Sequence, residues 1–208
     1  DTYIGSIIPT EANIYIKEKD KIIYKNIEYI PGFIKIIDEI LVNAIDAHTR
    51  TNLAKTQDML KKIKLVTEIN VSYNIETGTI IIRNNGEGID ISKMQCDNKK
   101  IYGPQMIFGE LLTSENYDQN IITGGKNGYG AKLTNIFSKY FKVTTINKSK
   151  KYTQIWRDNM NIVEDPIIES YTKVPYTEIE FIPDYERFGM TGLTPDIISL
   201  IDKRVYDC

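Results

Sequence analysis

The chain has 208 residues, with 26 Lys and Arg against 28 Asp and Glu, and a formal net charge of −2. This length suffices for one domain with a buried core, and the near-neutral charge excludes the strongly basic surface of a protein that holds nucleic acid by itself. The two cysteines have no partners at zinc-ligand spacing and cannot form a disulfide framework, so we expect a reducing compartment and no structural metal.

The first part of the chain predicts a β-hairpin followed by an amphipathic helix. Short β-rich stretches at 14–17 and 21–25 flank a charged turn, and Pro31-Gly32 precedes the helix. From residue 33 to residue 48, apolar residues recur three and four positions apart, which is the spacing of a helix with one buried face. The polar segment 49–63 contains good helix formers and predicts an exposed helical insertion.

The remainder of the chain predicts further strands interleaved with helices. The predicted strands are 65–73, 79–83, 141–147, 152–157 and 177–183, and the predicted helices are 102–112, 131–141 and 194–205. The last helix has Thr194 as its cap and Pro195 at its first position. The segment 113–130 is too long for an ordinary connection and predicts a functional loop or lid. Because strands and helices do not alternate regularly, we expect an α+β fold with a mixed sheet and helices on one face.

Three polar side chains share one face of the first predicted helix. Glu39, Asn43 and Asp46 stand at i, i+4 and i+7, while isoleucines occupy the other face. A carboxamide oxygen can hold one position of an octahedral Mg²⁺ whose other ligands are phosphates and water. A carboxylate one turn away can accept a proton from an attacking water. By spacing alone, a solvated helix face is the alternative.

Two glycine-rich segments follow. In Asn84-Asn85-Gly86-Glu87-Gly88, two glycines two apart allow a sharp turn and the approach of a flat ligand, although an ordinary hairpin turn is the alternative. Residues 124–132, GGKNGYGAK, end at a predicted helix start, where free backbone N–H groups favour an anion. This segment matches neither a P-loop nor a dinucleotide fingerprint, and a merely flexible loop is the alternative. The acidic helix and the two glycine segments, occurring in this order, reinforce one another.

These motifs resemble the ATP-binding domain of eukaryotic-type or viral DNA topoisomerase II, together with LLTSENYD at 111–118 and TGGKNGYGAKLTNIF at 123–137. That family belongs to the superfamily of gyrase, HSP90, histidine kinases and MutL. The resemblance covers nearly the whole chain and implies a Bergerat-type ATPase fold with a mostly antiparallel sheet. Bacterial gyrase carries Asp at the position of Asn84, which favours the eukaryotic or viral branch.

The resemblance implies roles for individual residues. Glu39 matches the general base, Asn43 the Mg²⁺ ligand and Asn84 a nucleotide-contacting position. Ser114 and Asn116 match ribose and phosphate contacts. The phosphate-binding loop matches Gly125, Lys126, Asn127, Gly128, Tyr129, Gly130, Ala131 and Lys132. Asp46 matches a recurrent acidic position on the same helix, for which we expect a structural role or a role in supporting the residues that contact the ligand.

Three positions depart from the family's pattern. Ala47 stands where Asn is expected, Glu115 where Ser is expected and Lys126 where Arg is expected. Lysine keeps the positive charge of arginine but loses its bidentate fork. Glu115 brings a negative charge near a nucleotide, so no binding role is assigned to it. The segment 49–64 is also longer than the family's pattern, as an exposed insertion would be.

The resemblance also implies a function for residues 1–208 as one ATP-binding domain. We expect it to bind and hydrolyse ATP with Mg²⁺ and to drive gate closure while one DNA duplex passes through another. Transducer and DNA-cleavage domains are expected to be absent from the chain, so DNA binding and homodimerisation belong to the full-length enzyme, and no membrane is involved. We expect the nucleus for a cellular protein, and the virion or the host cytoplasm or nucleus for a viral one. The alternatives are a MutL- or HSP90-like ATPase and a non-catalytic nucleotide sensor, and Glu39 argues against the sensor.

Overall fold

The computed structural model describes residues 3–56, 63–96, 99–110 and 130–208. The strands in these ranges are β1 (Thr10–Glu18), β2 (Lys21–Tyr29), β3 (Ile69–Asn74), β4 (Thr79–Asn85), β5 (Lys93–Cys96), β6 (Lys99–Tyr102), β7 (Ser138–Asn147), β8 (Lys150–Arg157), β9 (Ile162–Val163), β10 (Ile167–Ser170) and β11 (Tyr176–Pro183). The helices are α1 (Pro31–Thr56), α2 (Gly103–Phe108), α3 (Gly130–Ile136) and α4 (Pro195–Tyr206). None of the helices in these ranges is long and apolar enough to cross a membrane.

The central sheet runs in the order β10-β8-β7-β11-β4-β3, with β9 paired to β8. Its described pairings are all antiparallel. Two separate hairpins, β1–β2 and β5–β6, lie outside it. The predicted α+β fold with a mostly antiparallel sheet is therefore confirmed.

The core lies between the central sheet and the apolar stripe of α1. Alternate residues of the strands point into it, among them Ile80 and Ile82 of β4 and Phe181 of β11, each at most 2% exposed. From α1, Ile36 and Ile40 enter the same cluster, at the predicted spacing. Burying one such side chain contributes about 1.5–3 kcal/mol relative to leaving it in water. This burial fixes the rotation of α1 and so determines where its polar face points.

Three predicted helical segments differ from the structure. The helix predicted at 102–112 ends at Phe108, as α2. The helix predicted at 131–141 ends at Ile136, and β7 begins at Ser138, so the second half of that prediction is wrong. The run from Tyr140 onward is rich in β-branched and aromatic residues, which pack well on a pleated sheet, and β7 there pairs with both β8 and β11. The predicted insertion begins as a continuation of α1, but it is not wholly exposed, because Thr51 is 1% exposed and accepts a hydrogen bond from the Val66 N–H.

Four strands were not predicted: β5, β6, β9 and β10. Each has two to four residues, and those of β9 and β10 are all exposed. Strands of two to four residues are too short for an alternation of apolar and polar residues to be distinguished from chance, so pairing with a neighbour is what defines them. The predicted lid at 113–130 lies, except for Gly130, outside the described residues.

Candidate functional site

Glu39 lies on the part of α1 that faces the beginning of α3. Its Oε1 forms an ion pair with the Nζ of Lys35, one turn earlier on the same helix, and its side chain is 20% exposed. Its Oε2 lies so close to Gly130 that a Cβ on that residue would overlap the carboxylate. A Cβ at the first residue of α3 would therefore displace the Glu39 carboxylate. The structure thus brings together two residues that are 91 positions apart and that the sequence places in different motifs.

Asn43 lies one turn after Glu39 on α1. Its Nδ2 donates to the Glu39 carbonyl at 2.6 Å, so Oδ1 is the atom of the amide that can accept a cation. In the described part of the chain, no group of three or more His, Cys, Asp or Glu residues could hold a metal. A Mg²⁺ at Asn43 would consequently take most of its ligands from phosphate and water, as this ion prefers. The residues present fit such an ion.

Asp46, the third residue of the predicted polar face, lies further along α1. Its carboxylate interacts electrostatically with Arg50, which follows one turn later. An acidic and a basic side chain at i and i+4 stabilise a helix by a few tenths of a kcal/mol. This contact is of the structural kind expected for Asp46, and it leaves Glu39 and Asn43 as the chemically competent pair.

Asn84 lies at the end of β4 and is 4% exposed. Its Nδ2 donates to the carbonyl of Asn85 at 2.9 Å. In the sheet, Asn84 stands opposite Thr177 of β11, whose hydroxyl shares a 2.8 Å hydrogen bond with that of Thr145 on β7. Thr145 also accepts from the backbone N–H of Ile89 at 2.9 Å. The two threonines therefore extend the buried polar surface beside Asn84.

The glycines after Asn84 serve the packing of the chain itself. Gly86 has φ +89°, and a Cβ there would lie 2.5 Å from the carbonyl oxygen of Leu65. Gly88 donates its N–H to the Ile146 carbonyl at 3.0 Å, and a Cβ on it would overlap that oxygen. At both glycines, the position that a Cβ would take is thus filled by backbone. The turn after Asn84 is predicted correctly and its glycines are needed for this packing, while the approach of a flat ligand there stays a prediction.

Lys132 is buried in α3, with 1% of its surface exposed. Burial lowers the pKa of its ammonium group, while the nearby Cys96 and Glu110 act in the opposite direction. Thr134 and Asn135 of the same helix donate to the carbonyls of Ile36 and Phe108, at 2.7 and 2.9 Å. Because burial removes hydration from the Lys132 ammonium group, this group gains most from an anion brought close to it.

A cavity of about 810 Å³ opens beside the turn that follows Asn84. Gly88, Ile89 and Ile107 contribute to its wall, and Arg50 and Lys148 are among its charged residues. This volume lies in the range of small-molecule sites. The cavity adjoins the same turn as Asn84, so the buried polar surface and the open space are neighbours.

Seven of the predicted site residues lie outside the described residues: Ser114, Asn116, Gly125, Lys126, Asn127, Gly128 and Tyr129. Their roles stay predictions, and Glu115 also lies outside the described residues. Ala131 is described and is buried in α3. Sequence reasoning missed Lys35, Thr145 and Thr177. The available signals were a basic residue at i−4 from Glu39 and threonines at inward positions of apolar strands.

An antiparallel sheet that joins a Glu-Asn helix, an Asn-Gly turn and a helix beginning at a close-packed glycine defines an ATPase domain of the Bergerat type. A family model described as histidine kinase-, DNA gyrase B-, and HSP90-like ATPase matches residues 29–159. The chain belongs to this family.

Within that family, the chain is similar to type II topoisomerases over its full length. It is 46% identical to DNA topoisomerase 2 of Plasmodium falciparum and 44% identical to that of Acanthamoeba polyphaga mimivirus, of which it spans 15% and 16%. The crystal structure of the ATPase region of Saccharomyces cerevisiae topoisomerase II matches all of the chain with a TM-score of 0.84 and 44% identity, and the chain covers 53% of that structure. The chain is therefore homologous to part of the ATPase region of a type II topoisomerase.

Proposed function

We propose that this chain binds ATP with Mg²⁺ and hydrolyses it, as the amino-terminal ATPase domain of a type II DNA topoisomerase. The observation that carries the proposal is the contact between the Glu39 carboxylate and Gly130. It sets a proton acceptor at the end of the glycine-rich segment whose backbone would receive phosphates. Similarity to topoisomerases along the whole of this chain favours this function over a MutL- or HSP90-like ATPase.

Glu39 acts in this proposal as the general base. Because Lys35 occupies Oε1, the oxygen that turns toward α3 is Oε2. A water between Oε2 and the γ-phosphate gives its proton to Glu39 while its oxygen attacks phosphorus. The bond between the γ-phosphorus and the bridging oxygen breaks, and ADP leaves with that electron pair. A positioned base of this kind contributes roughly 10²–10⁴-fold in rate.

The remaining residues bind and orient the substrate. Lys132 would neutralise phosphate charge, and its low exposure makes the interaction strong because little water competes. Asn43 Oδ1 would hold Mg²⁺, which supplies charge neutralisation on the phosphates when bound. Asn84 and the neighbouring cavity would receive the nucleoside end. The predicted contacts of Ser114, Asn116 and Gly125 to Tyr129 complete the proposed site.

In the longer protein, ATP binding would favour a closed state of the gate. The chain spans about 15% of its curated relatives, so DNA passage and homodimerisation are proposed for the whole enzyme. A ligand shifts such an equilibrium only by its difference in affinity for the two states, so ATP must bind the closed state more tightly. We propose the nucleus as the compartment of a cellular protein, because its DNA partner lies there, and the virion or the host cytoplasm or nucleus for a viral one.

The experiment that tests the site is a calorimetric titration of this chain with a non-hydrolysable ATP analogue, with and without Mg²⁺. The Asn43→Ala variant should lose the Mg²⁺-dependent part of the affinity and keep its fold, because alanine is the best helix former. Asn52→Ala, which removes another amide of α1 that donates to a helix carbonyl, is the matched control. Equal affinities of Asn43→Ala and the unsubstituted chain would contradict the metal-ligand role.

A further inference from the structure

The turn between β8 and β9 contains three consecutive non-glycine residues in the left-handed conformation. Asp158, Asn159 and Met160 have φ values of 48°, 58° and 69°. Left-handed backbone is unfavourable for residues with a Cβ, least so for Asn and Asp. Such a run persists only where surrounding contacts over-determine it. The contacts of this turn therefore show which neighbouring segment it holds in place.

Asn159 supplies those contacts through its side chain. Its Nδ2 donates to the carbonyl of Ile136, the last residue of α3, at 2.9 Å, and to Oδ2 of Asp184 at 3.0 Å. Its Oδ1 accepts from the Nζ of Lys139 at 3.0 Å. All the polar atoms of the amide are thus engaged, and one of them satisfies a carbonyl that the helix leaves without an internal partner.

The backbone of the turn holds the adjoining segment. The N–H groups of Asp158 and Asn159 donate to the carbonyls of Lys139 and Ser138, both at 2.9 Å. The Asp184 N–H donates to the Phe137 carbonyl at 2.8 Å. Every residue from Ile136 to Lys139, where α3 becomes β7, is therefore bonded by the turn or by Asp184.

The other end of α3 carries the candidate site. The helix has seven residues, about 10 Å at 1.5 Å per residue, and its first residue, Gly130, is packed against the Glu39 carboxylate. Because close-packed protein interiors are hardly compressible, a displacement at one end of this short helix is transmitted to the other end. A change at Ile136 consequently alters where Gly130 and Lys132 stand relative to Glu39.

We propose that Asn159 is a positioning residue of the ATP site, which keeps Gly130 and Lys132 in place by fixing the carboxyl end of α3. The inference rests on the proposed function, because it assigns the triphosphate to this end of the site. Asn159 itself lies at the opposite end of α3 from Glu39 and is not a catalytic residue.

The test is the Asn159→Gly variant, because glycine adopts the left-handed conformation without strain and only the amide is lost. Affinities for a non-hydrolysable ATP analogue with Mg²⁺ and for adenosine are measured with the thermal midpoint. The triphosphate affinity should fall roughly tenfold to a hundredfold, as expected for misplacement on the ångström scale. The affinity for adenosine should be unchanged, because Asn84, which is proposed to receive the nucleoside end, lies on β4 and not on α3.

Asn161→Gly is the control, since its exposed amide donates to Oδ2 of Asp158 and not to α3; it should leave both affinities unchanged. Unchanged triphosphate affinity in Asn159→Gly, or equal losses for both ligands, would overturn the inference and leave Asn159 a purely structural residue. If Asn159→Gly does not fold, Lys139→Met replaces it, and it should weaken triphosphate binding in the same direction; no change overturns the inference. Failure of the unsubstituted chain to bind the triphosphate contradicts the proposed function itself, and the inference with it.

Discussion

At the scale of single residues, the two carboxylate oxygens of Glu39 meet different neighbours. Lys35 takes Oε1, and Gly130 leaves room for Oε2. The Lys35 side chain is 47% exposed, so its ion pair adds little to stability and acts mainly on the orientation of the carboxylate. Oε1 therefore orients the carboxylate, and Oε2 remains for proton transfer.

Glu39→Gln should keep nucleotide binding and lose turnover. Glutamine preserves the shape of the side chain but cannot accept the proton from water, so we expect a fall of roughly 10²–10⁴-fold in rate. Binding is measured with a fluorescent ATP analogue, and turnover by phosphate release from the full-length protein. Asp46→Asn, a carboxylate of the same helix that faces Arg50, is the control and should keep its rate. A parallel loss of binding and turnover in Glu39→Gln would make Glu39 a ligand or structural residue instead of the base.

At the scale of elements, α3 is set by contacts to α1, to α2 and to the β8–β9 turn. Thr134 bonds to α1, Asn135 to α2 and the last carbonyl of the helix to Asn159. A helix of seven residues is too short to be stable by itself. Its position is therefore a property of the surrounding packing, which makes its first residue sensitive to any added volume.

Gly130→Ala should impair the site through volume alone. The added Cβ overlaps the Glu39 carboxylate, and because this carboxylate is the end of a flexible side chain, it is the group that shifts, at a cost of about 0.5–1.5 kcal/mol. We expect weaker triphosphate binding in titration and a lower free energy of unfolding in urea. Gly189→Ala is the control: its φ of +66° makes alanine unfavourable there, but nothing lies within 4 Å of the new Cβ. The Gly189→Ala variant should lose stability and keep its nucleotide affinity. If Gly130→Ala keeps the same nucleotide affinity as Gly189→Ala, the role assigned to the Glu39–Gly130 contact is wrong.

At the scale of the whole molecule, the site joins segments that are distant in the chain. Glu39 and Asn43 come from α1, Asn84 from β4 and Lys132 from α3. A ligand that contacts all three elements binds only the folded chain. Nucleotide binding and global stability are therefore linked by mass action.

A non-hydrolysable ATP analogue with Mg²⁺ should raise the thermal midpoint of this chain. At a ligand concentration 100 times Kd, linkage predicts about 2.7 kcal/mol of stabilisation. For a domain of this size, that corresponds to roughly 5–10 °C. Differential scanning calorimetry measures the shift, and adenosine at the same multiple of its own Kd is the control that should give an equal shift. An unchanged midpoint with saturating analogue would show that the folded chain does not bind it.

The sequence by itself determined the features that repeat over short distances. The apolar spacing predicted α1 and its Glu39-Asn43 face, because residues three and four apart share a helix face whatever surrounds them. The cap residue Thr194 and the following Pro195 predicted the start of α4. In the structure, Thr194 accepts from the Ile197 N–H and Pro195 stands at the first helical position. The three motifs in this order then carried the family resemblance, which implies a nucleotide site.

Only the tertiary structure decided which distant groups meet. It placed Gly130 against Glu39, buried Lys132 and gave Gly86 and Gly88 their packing partners. It also ended α3 at Ile136, five residues before the predicted end at residue 141, because pairing with two neighbouring strands outweighs a weak local helix preference. Such contacts depend on how the sheet and α1 pack together, and that packing has no period along the chain from which it could be read.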